Sequence, residues 1–426
     1  MKKFKYIILI LCALLLVGCE KKTTLRKTAP NNDTTESTTT KSNSTQSTTS
    51  LNNTSSSQTT KSNQTSSTTT TTTKTTTVTI TQSVEELTIS QIVNETEVGK
   101  RVKFRGTLIK FITDSMDKLM IFSDGYNYVP VRVTSSNQHA TSRYENCDYE
   151  VIGTTQKNAN NKIEIKYESV ENLTSTPATF DYSHIAVKKN SIKEVYDEIK
   201  TITLNKKGNG IGAIVTFEGI ALSTDRSDSN SKAVFYDNVN VLTVINIING
   251  KEKKIVDAEN DIDKQFEITG IISILNNHPS IQLLDIKSKE ITIDIDFSNV
   301  VEVQPSYFVK WYHLSDKQND PSYDDFSKLY KITGYVNEDS GRTSALYLGL
   351  TDNANGDMTD SNTSKKANGV YMMNYQNIKS NDLVLEEIAI SYLNDSEITV
   401  FASLYQYDTQ NHAWKVFIYE EYIQTK

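Results

Sequence analysis

Six residues near the start of the folded region combine aromatic rings with positive charge, which suits a ligand with flat faces. They are Tyr126, Tyr128 and Arg132 in one segment and Arg101, Lys103 and Arg105 in another. Tyrosine rings stack on bases or sugars, and cations contact phosphates. Ordinary strand surfaces use the same residue types, because tyrosine is a common strand residue. The set is a candidate ligand face, with a plain solvated surface as the alternative.

The chain shows no pattern typical of a catalytic or metal site. Its five histidines lie far apart, without an H-E-x-x-H motif or cysteine partners, so zinc is not expected. Neither a G-x-S-x-G motif nor a Walker-type loop occurs. The segment DNANGDMTD (352–360) fails the calcium-loop spacing, because Thr351 stands five residues before Gly356. We therefore predict no catalytic residue, no metal and no cofactor, and hence a binding protein and not an enzyme.

The first 19 residues contain a cysteine placed for covalent modification. Three lysines precede an apolar run of 12 residues, which is too short to span a membrane and is typical of a secretory signal. The run ends in Leu16-Val17-Gly18-Cys19, which resembles the lipobox of bacterial lipoproteins. The resemblance implies a signal peptide over 1–18, cleavage between Gly18 and Cys19, and a diacylglycerol thioether on Cys19.

This interpretation predicts a protein anchored by lipid to the extracytoplasmic face of the cell membrane. An ordinary secretory signal with a coincidental cysteine is the alternative. Cys12 leaves with the signal and Cys19 is lipidated, so Cys147 has no cysteine with which to form an internal disulfide. Neighbouring Glu145 and Asp148 disfavour its thiolate, and we expect an inert thiol.

Residues 19–82 are rich in Thr, Ser and Asn, and between Asn31 and Thr77 the only large apolar residue is Leu51. Such a segment cannot bury enough apolar surface to offset its ordering entropy. It carries seven Lys or Arg against three Asp or Glu. We predict a disordered tether with a weak preference for anionic surfaces.

The residues that could bind a ligand must be positioned by the strands of the region after residue 82, where the pattern repeats. GKRVKFRG at 99–106 and GAIVTFEG at 212–219 share the frame G-x-x-V-x-F-x-G. Alternating apolar residues predict five strands in 83–175 and five in 176–295, each set after a short helix. Glycines recur inside the first and fourth strands, where a small closed barrel must bend.

Residues 296–426 form a third and more divergent unit. Gly334 lies 115 residues after Gly219, and Ala402 replaces the glycine of the fourth strand. The unit holds 13 of the 22 tyrosines and both tryptophans. These features favour a third β domain, with core packing expected for Trp311 and Trp414.

Five short strands with this glycine pattern resemble the OB fold, a small five-stranded barrel. The predicted fold class is therefore all-β, with tandem OB-like barrels, each preceded by a short helix. The resemblance implies a groove across the second and third strands and the loops beside them. Its typical ligands are single-stranded nucleic acid and oligosaccharide.

Net charge argues against nucleic acid among these ligands. Residues 83–175 hold 11 basic and 13 acidic side chains, 176–295 hold 14 and 17, and 296–426 hold 10 and 19. Nucleic-acid affinity depends on phosphate contacts from a basic patch. We expect a membrane-anchored binding module for an unknown ligand, whether nucleic acid, glycan or protein. An adhesion or structural stalk is the main alternative.

A calcium-dependent surface nuclease is a further alternative. Staphylococcal-type nucleases are built on an OB-like barrel and need clustered carboxylates with two arginines. Arg101, Arg105, Asp114 and Asp117 are near one another in sequence, but they match no motif of that family.

Overall fold

The computed structural model describes residues 83–94, 97–113, 118–133, 143–206, 208–224, 231–248, 251–257, 260–311, 320–338, 348–354, 369–372, 396–408 and 413–425. These residues form three closed five-stranded barrels in tandem, which confirms the predicted fold class. Among them, no helix is both long and apolar enough to cross a membrane. Residues 1–82, including Gly18, Cys19 and the predicted tether, lie outside the described residues.

Barrel 1 begins with a short parallel strand and a helix and then closes with five strands. Its elements are β1 (Glu85–Glu86), α1 (Ile89–Asn94), β2 (Arg101–Thr113), β3 (Lys118–Ser123), β4 (Tyr128–Val133), β5 (Cys147–Lys157) and β6 (Ile163–Asn172). Thr88 precedes α1, and its hydroxyl accepts a hydrogen bond from the Gln91 N–H at 3.2 Å. This bond caps the N-terminus of the helix.

Barrel 2 repeats the same plan and adds a small hairpin. Its elements are β7 (Val187–Lys188), α2 (Ile192–Ile199), β8 (Gly210–Thr224), β9 (Lys232–Tyr236), β10 (Val241–Ile245), β11 (Ile247–Ile248), β12 (Lys251–Glu252), β13 (Lys264–Leu275) and β14 (His278–Thr292). The Ser191 side chain caps α2 by accepting a hydrogen bond from the Glu194 N–H. The α2 side chains Ile192, Val195 and Ile199 are fully buried in the barrel core.

Barrel 3 is the divergent copy, and it closes in the same way. Its elements are β15 (Val301–Val303), the 3-10 helix η1 (Pro305–Trp311), α3 (Tyr323–Phe326), β16 (Leu329–Glu338), β17 (Leu348–Thr351), β18 (Gly369–Met372), β19 (Glu397–Asp408) and β20 (Ala413–Thr425). Trp311 and Trp414 are both buried, and the Trp414 indole donates to the Trp311 carbonyl at 3.0 Å. The prediction that both tryptophans pack in the core is confirmed.

The strand order is the same in all three barrels. In barrel 1, β2, β3 and β4 form a meander, β5 returns beside β2, and β6 lies between β4 and β5. A fourth strand beside the first makes a Greek key, and the fifth strand closes the barrel by running parallel to the third. Five-stranded Greek-key barrels of this kind are OB folds.

The strand glycines allow the first, fourth and fifth strands to approach closely. Gly153 pairs with Val102, and Gly270 pairs with Val215, each beside a break in the strand register. A Cβ at Gly153 would lie 2.4 Å from the Lys166 carbonyl oxygen, and one at Gly270 would lie 2.7 Å from that of Gln282. Ala402 occupies the matching position opposite Tyr330, where the register breaks instead between Thr399 and Phe401. The displaced bulge explains why the third barrel accommodates a side chain there.

The described residues from 83 onward form one compact unit, in which each barrel packs on the next. Seam 1 joins barrels 1 and 2 through buried aliphatic side chains. They are Ile109, Ile112, Leu119 and Ile121 of barrel 1 and Ile214 and Ile271 of barrel 2, with Tyr182 and Ile185 of the connecting segment. The outer face of β2 and β3 in one barrel thereby meets the first and fourth strands of the next.

Seam 2 joins barrels 2 and 3 in the same orientation. Its buried side chains are Leu222, Val234, Tyr236 and Val241 from barrel 2 and Leu329, Phe401, Phe417 and Tyr419 from barrel 3. The Ser223 hydroxyl also donates to the Ile418 carbonyl at 2.9 Å. Seam 2 covers the outer face of the second strand of barrel 2, which is part of the surface where an OB groove would lie.

Candidate ligand-binding cavity

A cavity of about 370 Å³ lies at seam 1. Barrel 1 contributes the outer faces of β3 and β4 and the loop 158–162 between β5 and β6. Barrel 2 contributes the segment 203–212, which leads into β8, and the end of β13. The second strand, the third strand and the loop between the fourth and fifth strands are where the OB resemblance places a groove.

The floor of the cavity is aliphatic. Its apolar side chains come from both barrels: Ile112, Leu119 and Ile121 from barrel 1, and Ile211, Ile271 and Leu275 from barrel 2. Strand β3 supplies this surface because it is buried on both faces, with Met120 and Phe122 pointing into the barrel core. A strand covered on both sides shows a continuous apolar run instead of an alternation.

The loop 158–162 forms one edge of the mouth, and hydrogen bonds fix it. The Asn158 side-chain oxygen accepts from the N–H groups of Asn160 and Lys162 at 2.9 and 3.0 Å. The Asn160 amide then bridges to barrel 2, accepting from the Thr203 N–H at 2.6 Å and donating to the Ile211 carbonyl at 3.3 Å. Groups of both barrels therefore fix the mouth of the cavity. Their hydrogen bonds are made within the protein.

A charge-compensated cluster forms part of the wall. Arg132 makes two hydrogen bonds to Glu164, with Nε–Oε1 and NH2–Oε2 distances of 2.9 and 3.0 Å. The Gln156 amide also donates to Glu164 at 2.7 Å, and Glu164 is only 3% exposed. Bidentate pairing of this kind fixes both side chains, so the cluster presents no net charge to the cavity.

Tyr128 lies at the seam end of β4 and lines the cavity. Its ring is half-buried and packs against the seam 1 cluster. Burial raises the pKa of the Tyr128 phenol, and the backbone of Ile214 is its hydrogen-bond partner. The phenol is therefore neutral and links barrel 1 to the first strand of barrel 2.

The six residues of the predicted ligand face do not come together. Tyr128 and Arg132 line the cavity, but Arg101, Lys103 and Arg105 do not. These three lie on the part of β2 that pairs with β1 and β5. They form ion pairs with Glu168 at 2.7 Å, Glu86 at 3.2 Å and Glu150 at 3.1 Å, respectively.

Tyr126 is also separate from the cavity. It lies in the turn between β3 and β4, is 71% exposed, and stacks on His184 with ring centroids 4.9 Å apart. Because β2 and β4 are not neighbours in the barrel, alternation within each strand could not show that their outward side chains diverge. The inward direction of Val129, Val131 and Val133 agrees with the alternation.

The loop 158–162 and Ile211 are site residues that carry no recognisable motif in the sequence. The apolar run KLMIF at 118–122 was the available signal, since such a run indicates a strand buried on both faces. In the described part of the chain, no three His, Cys, Asp or Glu residues gather as a metal site. Cys147 is a free and buried thiol. Asp114, Asp117 and most of the segment 352–360 lie outside the described residues.

Comparison with known proteins adds little beyond the fold. No family model and no curated protein matches the chain. Among solved structures, it is similar to asparaginyl-tRNA synthetase from Pyrococcus horikoshii (14% identity, 22% of this chain and 24% of that chain, TM-score 0.20). It is also similar to the S. pombe Stn1-ten1 complex (12%, 18% and 59%, TM-score 0.17) and to a Replication Protein A heterotrimer bound to ssDNA (18%, 24% and 84%, TM-score 0.18).

The chain spans about a quarter of the length of the synthetase that it matches. These similarities are too low to carry an argument about ligands. The fold assignment rests on the strand order and closure of the three barrels.

Proposed function

We propose that this protein is a lipid-anchored, extracytoplasmic binding protein whose ligand occupies the seam 1 cavity. The observation that carries the binding role is a concave space of about 370 Å³ at the groove position of barrel 1. Small-molecule sites are concave, mostly apolar and about 300–1,000 Å³ in volume. The anchoring role is supported by the segment Leu16–Cys19 after a short apolar run.

The charges around barrel 1 disfavour a nucleic-acid ligand. Arg101, Lys103, Arg105 and Arg132 are all engaged by carboxylates. A phosphate backbone would have to displace these partners, and the domain has a net charge of −2 from 11 basic and 13 acidic residues. The pairing of Arg101 and Arg105 with carboxylates also disfavours a nuclease, which would need free arginines.

A rigid stalk is the second candidate function, and seam 2 is the observation that favours it. The packing at seam 2 covers part of the groove of barrel 2. Barrel 2 would therefore serve as a spacer. The two roles are compatible, since a binding site in barrel 1 does not require the other grooves.

The anchor is tested by replacing Cys19 with Ala and following membrane partitioning after metabolic labelling with a fatty acid. Cys12→Ala is the matched control, because Cys12 lies within the predicted signal peptide. We expect the label and the membrane fraction to be lost only in Cys19→Ala. Equal labelling of both variants would contradict the lipoprotein assignment.

The binding role is tested by thermal unfolding of the chain from residue 20 onward in the presence of candidate ligands. A ligand that binds only the folded state raises the melting temperature. Ala159 is exposed and lines the cavity mouth, whereas Ala178 is exposed and lies elsewhere. A stabilisation that survives Ala178→Trp and disappears in Ala159→Trp supports the site. A ligand that stabilises both variants equally would place binding outside the cavity.

A further inference from the structure

We infer that the seam 1 cavity binds a small, uncharged and mainly aliphatic molecule, an inference that rests on the proposed function. The cavity volume of about 370 Å³ is near the lower end of the range for small-molecule sites. Its walls come from two packed barrels, so a polymer strand has no continuous track across it. The ligand must therefore be a compact molecule or the end of a chain.

The residues that line the cavity favour a ligand with an apolar surface. The floor is made of isoleucine and leucine side chains from both barrels, and among the described residues Tyr128 is the only aromatic one that lines the cavity. Burying apolar surface contributes about 25 cal/mol per Å², and branched aliphatic side chains match an aliphatic ligand. A sugar ring would need stacking platforms and several convergent hydrogen-bonding groups.

Four asparagine side chains at the mouth make hydrogen bonds within the protein. The amides of Asn158 and Asn160 hold the loop 158–162, and the Asn205 and Asn209 side-chain oxygens accept from the N–H groups of Asn209 and Asn276 at 3.1 and 2.7 Å. A polyhydroxylated ligand would have to replace these hydrogen bonds. The mouth is polar enough to admit one hydroxyl or carbonyl group without itself forming a sugar site.

The charge-compensated cluster of Arg132 and Glu164 also disfavours an ionic ligand in the interior of the cavity. Arg132 is committed to the buried Glu164, which accepts from Gln156 as well. An anion that recruited Arg132 would leave Glu164 buried and unpaired, which is costly. Lys162 is the remaining charged residue among the described residues of the lining, and it is exposed. Exposed ion pairs contribute little, so an uncharged head group is favoured.

The experiment uses the chain from residue 20 onward and the uncharged fluorescent probe N-phenyl-1-naphthylamine. We compare the parent chain with Ala159→Trp at the mouth, Ile211→Asn on the floor, and Ala178→Trp as a matched surface control. Ile211 is half-buried, and the Asn160 contact uses only its backbone carbonyl. Unchanged circular dichroism and melting temperature establish that each variant is folded.

We expect saturable binding with one site in the parent chain and in Ala178→Trp. Binding should weaken about tenfold or more in Ala159→Trp and Ile211→Asn, since 1.4 kcal/mol of lost apolar contact corresponds to a factor of ten. Decan-1-ol should displace the probe at lower concentration than decanoate, the N-acetylglucosamine disaccharide or oligothymidylate. Hydrogen exchange should slow in β3 and in the segment 203–212.

The outcomes separate the two proposals. If the disaccharide or oligothymidylate displaces the probe best and Ala159→Trp blocks it, the binding site stands and the aliphatic class is overturned. If decanoate displaces best and Lys162→Met abolishes that preference, the uncharged class is overturned. If the probe binds all variants equally, both the class and the cavity as a ligand site are overturned.

Discussion

Arg101 and Ile214 occupy the same position in the first strands of successive barrels, Arg101 opposite Thr154 and Ile214 opposite Ile271. Arg101 is partly exposed and pairs with Glu168 at 2.7 Å, whereas Ile214 is fully buried in seam 1. Leu329 takes this position in barrel 3 and is buried in seam 2. One residue position therefore distinguishes the first barrel from those that stack on a predecessor.

Replacing Ile214 with Ala should lower the free energy of unfolding by about 2–4 kcal/mol, because a fully buried aliphatic side chain is removed from seam 1. The matched variant Arg101→Ala should cost less than about 1 kcal/mol, since it loses only a solvated ion pair. Denaturant unfolding of both variants measures the difference. Equal losses would mean that seam 1 contributes no more than surface contacts.

Replacing Gly270 with Ala should destabilise the protein by about 1–3 kcal/mol, because the new Cβ overpacks the barrel. The nearest atoms to that Cβ are the Ile281 Cγ2 at 2.2 Å and the Gln282 carbonyl oxygen at 2.7 Å. Ala402→Gly is the matched change in barrel 3 and should cost only about 0.5–1 kcal/mol through backbone entropy. Thermal unfolding tests the order, and a larger loss in Ala402→Gly would refute the close-approach argument.

Replacing Lys110 with Met should destabilise the protein in a pH-dependent way. Lys110 is 1% exposed and pairs with Glu145 at 3.6 Å, and Glu145 also accepts from the Phe111 N–H. Burial lowers the pKa of Lys110 and raises that of Glu145. Removing one partner of a buried pair costs about 3–5 kcal/mol.

The sign of the pH dependence is set by Glu145. Without the Lys110 cation, burial favours the protonated carboxyl still more strongly in the folded state. A raised folded pKa gives stability below the unfolded value, about 4.3, that is lost as the pH rises through the folded pKa. The free energy of unfolding of Lys110→Met should therefore be closer to that of the parent chain at pH 5 than at pH 8. The double variant Lys110→Met/Glu145→Leu should lose that dependence, and its persistence would implicate other groups.

Alanine substitutions of the two tyrosines of the predicted ligand face should differ in their effect on probe binding. Tyr128→Ala should weaken binding of the naphthylamine probe, because Tyr128 lines the cavity. Tyr126→Ala should leave it unchanged, because Tyr126 stacks on His184 outside the lining. Fluorescence titration of both variants distinguishes them. An equal loss of probe affinity in the two variants would mean that Tyr126 and Tyr128 belong to one ligand face.

The strands and their glycines could be predicted from the sequence, because alternation and crowding are local properties. Gly153 and Gly270 are in the expected fourth strands, and the alternation of Val129, Val131 and Val133 matches their burial in the core of barrel 1. The third barrel could be recognised because Gly334 and Ala402 keep their register positions. These inferences needed only neighbours along the chain or across one strand pair.

The seams and the cavity could not be predicted in this way. The register shift between Leu108 and Lys110 on β2 changes which side chains face outward, so Ile112 reaches seam 1. The ion pairs of Arg101 and Lys103 depend on carboxylates brought from other strands. The outward direction of a side chain in the alternation therefore does not show whether that side chain meets solvent, a carboxylate or another barrel.

Seam 1 joins two unlike faces. Contacts of that kind, repeated between molecules, add one chain to the end of another and build a ring if the rotation closes or an open filament if it does not. Such addition would require the first and fourth strands of barrel 1 to be buried against another chain. Arg101, Lys103, Arg105 and their carboxylate partners make that burial unfavourable, because the charges would have to leave water. The charged first strand of barrel 1 therefore disfavours stacking of a second copy on that face by the contacts that form seam 1.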